Sequence, residues 1–140
     1  MNPILRNILA VIAGIVMGGV LNMAIVALGP YIIPPPEGVD TTTMEGLKAG
    51  MHLFEVQHFI PPFLAHALGT LLGAFVTAKI AKTHQLKLAI VVGCWFLLGG
   101  IAAAYMLPSP VWYTIVDTVL AYIPMALFGG KLAFRKAEKV

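Results

Sequence analysis

Residues 59–80 read FIPPFLAHALGTLLGAFVTAKI, an apolar run whose only ionisable residues are His66 and Lys79. A helix rises about 1.5 Å per residue, so a run of this length can cross the ~30 Å hydrocarbon core of a bilayer. Comparable apolar runs occupy residues 8–29, 88–107 and 111–128. The four runs predict an all-α integral membrane protein whose four transmembrane helices form an antiparallel bundle.

The composition agrees with this class. Hydrophobic residues make up 59% of the 140 residues and charged residues only 11%, whereas a soluble domain carries about 25% charged residues. A chain of this length predicts a single four-helix transmembrane domain over residues 1–140, with the lipid bilayer as its necessary partner. Because one small bundle encloses little space, we also expect a homo-oligomer.

The basic residues predict the orientation, since Lys and Arg concentrate on the cytoplasmic side of membrane proteins. Nearly all of them lie before the first run, around the turn between the second and third runs, or near and after the end of the fourth: Arg6, Lys79, Lys82, Lys87, Lys131, Arg135, Lys136 and Lys139. We therefore expect a multi-pass plasma-membrane protein, in the bacterial inner membrane, with both termini cytoplasmic and residues 30–58 forming an external loop. The net charge of +3 is explained by topology and anionic lipid, so no nucleic-acid partner is expected.

The first run is expected to remain as a membrane helix. It is about 22 residues long, more than the 7–15 of a signal-peptide core, and no Ala-x-Ala site follows it. The only cysteine is Cys94, which argues against an intramolecular disulfide, a Cys-x-x-Cys redox pair and a thiolate zinc site.

The loop between the first two runs predicts a short helix. Three prolines at positions 34–36 cannot continue the first helix. Thr42 followed by Glu45 forms a capping-box pattern ahead of several apolar residues. We expect an interfacial helix that starts at Thr42 and ends near His58.

Strongly polar residues occur at similar depth in three of the runs. Asn22, His66 and Asp117 each lie six or seven residues from the predicted external boundary, or ~10 Å inside it. Thr70 shares a helix face with His66, and Thr114 shares one with Asp117. Because polar groups in hydrocarbon are costly without a partner or a task, these five residues are the predicted proton or solute site.

Two interpretations of this site stay open. Asp117 and His66 can form a protonatable pair in a narrow cavity that opens to the outside, as in proton relays and ion-coupled transport. Alternatively, the three polar residues form a hydrogen-bonded lock that fixes helix register. Pro124 leaves the Leu120 carbonyl without a helical donor, which predicts a kink just after Asp117.

Small residues recur at helical spacing in the first two runs. Gly14, Gly18 and Asn22 follow one another every four residues, and Gly69 and Gly73 form a Gly-x-x-x-Gly motif. Small side chains let helix backbones approach closely in lipid. The pattern predicts tight helix packing.

A second cluster has metal-ligating chemistry. It comprises His52, Glu55, His58 and His66, in which Glu55 and His58 have the Glu-x-x-His spacing of carboxylate-bridged metal sites. Haem would use the same histidines as axial ligands. A second Glu-x-x-His pair is missing from the runs, and the histidines cluster near one helix, which disfavours a complete site in one protomer.

These patterns predict a small membrane protein that conducts or transports protons or a small solute through an oligomeric bundle. The alternatives are a metal- or haem-binding membrane protein, and an accessory subunit packed against other membrane subunits. Motifs for a nucleophile elbow, a phosphate-binding loop or a zincin helix are missing from the sequence. An enzyme is therefore not the expectation, and no cofactor is required.

Overall fold

A computed structural model describes residues 1–134, and over this range it confirms an all-helical protein without strands. The α-helices there are α1 (Pro3–Ile32), α2 (Met44–Gly50), α3 (Ile60–Ile80), α4 (Gln85–Met106), α5 (Val111–Leu120) and α6 (Ile123–Leu132). α1, α3, α4 and the α5–α6 pair are the four segments long and apolar enough to cross a membrane. Arg135, Lys136 and Lys139, used above to predict orientation, lie outside the described residues.

α1 is longer than predicted at both ends. Asn2 caps it, because its side-chain Oδ1 accepts a 2.8 Å hydrogen bond from the Ile4 amide, and a proline at the first helical position suits this geometry. Pro30 lies in the last turn without ending the helix, which closes with a 2.8 Å bond from the Ile33 amide to the Gly29 carbonyl. A proline there costs only one helical hydrogen bond.

α3 is the central helix and contacts the other three segments. α1 runs antiparallel to α3, since Gly14 lies against Gly73 and the later Gly18 lies against the earlier Gly69. A Cβ on Gly18 would lie 2.5 Å from the Gly69 carbonyl oxygen, and one on Gly73 would lie 2.7 Å from that of Gly14. The two backbones are therefore in direct contact, as the spacing of small residues predicted.

Small side chains also form the core between α3, α4 and α6. Five alanines are buried there: Ala74, Ala78, Ala89, Ala126 and Ala133. A Cβ on Gly93 would lie 2.5 Å from that of Ala126. The large apolar side chains of α1, such as Ile8 and Ile12, are instead exposed, an arrangement suited to lipid.

Two opposite ends of the bundle differ in construction. At the turn end, defined by residues 81–84 between α3 and α4, Arg6 Nε donates a 2.6 Å hydrogen bond to the Ile80 carbonyl. Asn7 Oδ1 accepts from the amides of Lys82 and Thr83, at 2.9 and 3.3 Å. These bonds tie the start of α1 to the α3–α4 turn.

The loop end, defined by residues 33–59, contains the predicted short helix, but its bounds differ from the prediction. α2 is capped by Thr43, whose hydroxyl accepts a 3.0 Å bond from the Gly46 amide. The cap is Thr43 and not Thr42 because the Thr42 side chain is already engaged. The Asp40 carboxylate accepts hydrogen bonds from the Thr42 hydroxyl at 2.6 Å and from the Thr42 amide at 2.9 Å. The same bonds hold the pKa of Asp40 below its usual value of 3.8.

α2 ends at Gly50 rather than near His58. Two short 3₁₀ turns follow it, Met51–Leu53 and Val56–Phe59. Phe59 packs on Tyr113 of α5 with ring centroids 4.7 Å apart, and Met51 joins them in one buried cluster. The loop is therefore folded onto the end of the bundle.

Candidate functional site

The fourth membrane-length segment is interrupted about one turn after Asp117. α5 ends at Leu120 and α6 begins at Ile123, so the kink predicted from Pro124 is a complete break. Tyr122 lies in the break with φ −116° and ψ −78°, and it is 2% exposed. Without the regular helix between them, the Tyr122 side chain turns back toward the preceding turn of α5.

Asp117 has two hydrogen-bond partners, one on α3 and one in the break. Asp117 Oδ1 lies 2.8 Å from Nδ1 of His66 on α3, and Asp117 Oδ2 accepts a 2.8 Å bond from the Tyr122 hydroxyl. The Asp117 side chain is 8% exposed and that of His66 is 23% exposed. A carboxylate, an imidazole and a phenol therefore form one connected, largely buried network, which we call the His66 network.

Tyr122 was not among the residues singled out from the sequence. It follows Asp117 by five residues, and in an unbroken helix such residues do not share a face. The signal that could have identified it was already in the sequence: Pro124 predicts irregular backbone immediately before it.

The structure does not bring Asn22 into this network. Asn22 packs in the contact between α1 and α3, where a Cβ on Gly69 would lie 3.0 Å from the Asn22 Cβ. The Asn22 Oδ1 is buried without a hydrogen-bond partner among residues 1–134. Within residues 1–134, the hydrogen-bond partners of Asp117 are His66 and Tyr122, and the expected hydrogen bond with Asn22 is not formed.

The two threonines of the predicted site make no hydrogen bond to the network within residues 1–134. Thr70 is fully buried, and its hydroxyl has no hydrogen-bond partner in the described part of the chain. The Thr114 hydroxyl donates a 3.4 Å bond to the Pro110 carbonyl one turn earlier on α5. Thr114 does, however, line the same cavity as His66 and Asp117.

This cavity has a volume of about 340 Å³ and lies at the loop end of the bundle. Its walls come from α1, α3, α4 and α5, and residues 33–59 cover it, with Leu47, Met51 and Phe54 among the lining side chains. Most lining residues are apolar, and the ionisable ones are His58, His66, Tyr113 and Asp117. An apolar pocket with a few convergent polar groups is the usual form of a small-molecule site, which occupies about 300–1,000 Å³.

The residues of the second predicted cluster are not gathered into a metal site. His58 Nδ1 accepts a 2.8 Å bond from the Glu55 amide, and the Glu55 carboxylate accepts from the Gln57 side chain at 3.0 Å. Both side chains thus stabilise the 3₁₀ turn locally, and His66 binds Asp117. Within residues 1–134, no three His, Cys, Asp or Glu side chains are placed to hold one metal ion.

Comparison of the chain with protein families, with curated proteins and with solved structures found no match.

Proposed function

We propose that this protein is a membrane carrier that moves protons, alone or with a small solute, and that His66 and Asp117 form its proton site. The observation that supports it is the buried His66 network beside an otherwise apolar cavity. The distribution of basic residues supports an orientation with both termini in the cytoplasm and the loop end outside the plasma membrane, as in a bacterial inner-membrane protein. The cavity would then receive its solute from the outside.

The chemistry of the pair suits proton exchange. Imidazole gains and loses a proton near neutral pH, and the Asp117 carboxylate lies 2.8 Å from His66 Nδ1, where it stabilises the protonated ring. Ionisable side chains at membrane depth are costly and commonly mark ion or proton pathways. The partial exposure of His66 gives its proton a route to the cavity.

The shape of the molecule favours a carrier over an open pore. Below the His66 network, toward the turn end, glycine and alanine contacts bring α1, α3, α4 and α6 together. A permanent water path through this packing would require the helices to separate. The break at Ala121 and Tyr122 supplies a place for such a movement, since interrupted helices border the substrate sites of many transporters.

The proposal is tested by proton flux into liposomes that contain purified protein and an internal pH-sensitive dye. After an external acid pulse, with the membrane potential clamped, wild-type protein is expected to acidify the interior faster than empty liposomes. Asp117→Asn is expected to slow this flux at least tenfold. His52→Gln serves as the matched control, because His52 is an exposed histidine outside the cavity lining.

Two results would overturn the proposal. One is a wild-type rate equal to that of empty liposomes. The other is an Asp117→Asn rate equal to that of wild type; combined with lower resistance to unfolding, it would identify the network as a lock between α3 and α5.

A further inference from the structure

We infer that the cavity binds an apolar aromatic molecule carrying a hydroxyl group, and that this hydroxyl donates a hydrogen bond to Nε2 of His66. The inference names the class of solute for the proposed carrier, so its transport aspect rests on that proposed function. Binding itself can be measured independently of transport.

The His66 network engages only one of the two nitrogens of the imidazole ring. His66 contacts Asp117 through Nδ1, and the two ring nitrogens point in widely different directions. His66 also lines the cavity. Nε2 is therefore the ring nitrogen that remains to meet a molecule bound there.

The partners of Asp117 determine which nitrogen of the neutral His66 ring carries the proton. The Tyr122 hydroxyl donates to Asp117 Oδ2, so Asp117 acts as an acceptor on that side. With the carboxylate ionised, the hydrogen bond at Oδ1 places the ring proton on Nδ1. This tautomer leaves a lone pair on Nε2, since the hydrogen bond at one nitrogen of a neutral histidine determines the role of the other. Nε2 of His66 is therefore a hydrogen-bond acceptor in the cavity, and a ligand that binds it must supply a donor.

The walls of the cavity are rich in aromatic side chains. Phe54, Phe59 and Tyr113 are among the lining residues, and they pack together at the loop end. Aromatic rings favour offset or edge-to-face contact with other rings. Among residues 1–134, no Lys or Arg lines the cavity, so a carboxylate or phosphate group would lack a counter-charge from these side chains. A phenol combines an aromatic surface with a strong hydroxyl donor and no charge.

Two polar groups on the walls make local hydrogen bonds, whereas the Tyr113 hydroxyl is buried without a partner among residues 1–134. His58 accepts from the Glu55 amide through Nδ1, and the Thr114 hydroxyl donates to Pro110. α1 and α4 contribute no titratable side chain to the lining. His58, Tyr113 and Asp117 line the cavity together with His66. The Tyr122 ring packs directly on the His66 ring, with centroids 5.7 Å apart, and its hydroxyl donates to Asp117.

Protonation of His66 should remove the preference of the site for a ligand that donates a hydrogen bond. A proton on Nε2 converts the acceptor into a donor, and a phenol oxygen then offers little advantage over an ether oxygen. The site should therefore distinguish a phenol from its methyl ether when His66 is neutral, and lose this distinction when His66 is protonated.

The test uses 4-butylphenol and its methyl ether, 4-butylanisole, with protein in lipid nanodiscs and ¹⁵N-labelled histidine. The chain has four histidines, and the His66→Gln spectrum assigns the His66 resonances. At a pH at which the ¹⁵N spectrum shows the neutral His66 ring, 4-butylphenol is expected to shift the His66 Nε2 resonance with an affinity about tenfold above that of the ether. The resonances of the other histidines report nonspecific partition into lipid.

Equal affinity for the phenol and the ether at this pH, or no shift with either, would overturn the inference. The distinction should also disappear as His66 titrates, and its persistence on the fully protonated ring would exclude Nε2 as the acceptor. Proton flux separates this inference from the proposed function: binding without flux would refute only the carrier, and flux without phenol selectivity would refute only the solute class.

Discussion

Two adjacent glycines of α1 provide a sharp test of the helix packing. A Cβ added at Gly18 would lie 2.5 Å from the Gly69 carbonyl oxygen and 2.8 Å from Phe96 Cζ. A Cβ added at Gly19 would meet no atom within 4 Å. Gly18→Ala and Gly19→Ala are therefore the same chemical change in the same helix, one directed into the α1–α3 contact and the other away from it.

The expected magnitudes follow from these distances. The new methyl of Gly18→Ala is about 0.9 Å closer to the Gly69 oxygen than the 3.4 Å of an ordinary contact, and the obstacle is backbone that cannot rotate away. Overpacking of this kind costs about 1–3 kcal/mol. Gly19→Ala has no such cost and replaces a glycine in a helix interior, which gains up to about 1 kcal/mol. We expect the two variants to differ by about 2 kcal/mol or more in free energy of unfolding.

The difference can be measured by reversible unfolding of purified protein in mixed micelles with increasing denaturing detergent. Gly18→Ala should unfold at lower detergent fraction than wild type, and Gly19→Ala at the same or a higher fraction. Equal effects of the two substitutions would refute the close α1–α3 contact. Gly69→Ala offers an independent check, because its Cβ would lie 2.9 Å from the Gly18 oxygen.

Three further predictions concern single hydrogen-bonding groups. Tyr122→Phe removes the donor to Asp117 Oδ2 while keeping the ring, and it should lower the free energy of unfolding by about 1–3 kcal/mol; an unchanged value in the same detergent titration would argue against the bond. Asn7→Ala removes the acceptor for two amides of the α3–α4 turn, so hydrogen exchange at Lys82 and Thr83 should accelerate while exchange in the centre of α3 does not. Because its hydrogen bonds lower the pKa of Asp40 from 3.8, the stabilisation they give the loop is present above that value and is lost as the pH falls through the lowered pKa. The Thr42 amide resonance should report this transition, and Asp40→Ala should abolish it; a midpoint at or above 3.8 would contradict the prediction.

Much of the helical framework was predictable from sequence because it depends on local physics. Apolar runs of membrane length, such as residues 59–80, leave few alternatives to a helix. Gly69 and Gly73 likewise predicted where α3 would contact another backbone, since only small side chains permit that approach. The boundaries were less accurate, because capping by Asn2 and the tolerance of Pro30 depend on single hydrogen bonds at the helix ends.

The site was only partly predictable for a physical reason. Depth in the membrane placed His66 and Asp117 together, but depth does not determine which way a side chain faces, and Asn22 faces Gly69 instead. The third partner, Tyr122, reaches Asp117 because the helix is broken between them. A pattern based on regular helix periodicity cannot place a residue that lies in irregular backbone. The cavity likewise depends on how residues 33–59 fold over the bundle.

The central claim is that the His66 network borders a cavity reached from outside the cell, and cysteine accessibility tests it most directly. On a Cys94→Ala background, Thr114→Cys would place a thiol on the cavity wall, while Ile115→Cys would place one on the neighbouring exposed apolar face, where Ile115 is 57% exposed. The two positions differ by one residue in depth. A membrane-impermeant thiol reagent added to intact cells should modify Thr114→Cys and leave Ile115→Cys unmodified, because a charged reagent enters an aqueous cavity but not lipid. Modification of both positions alike, or of Thr114→Cys only after the cytoplasmic side is opened, would contradict the account.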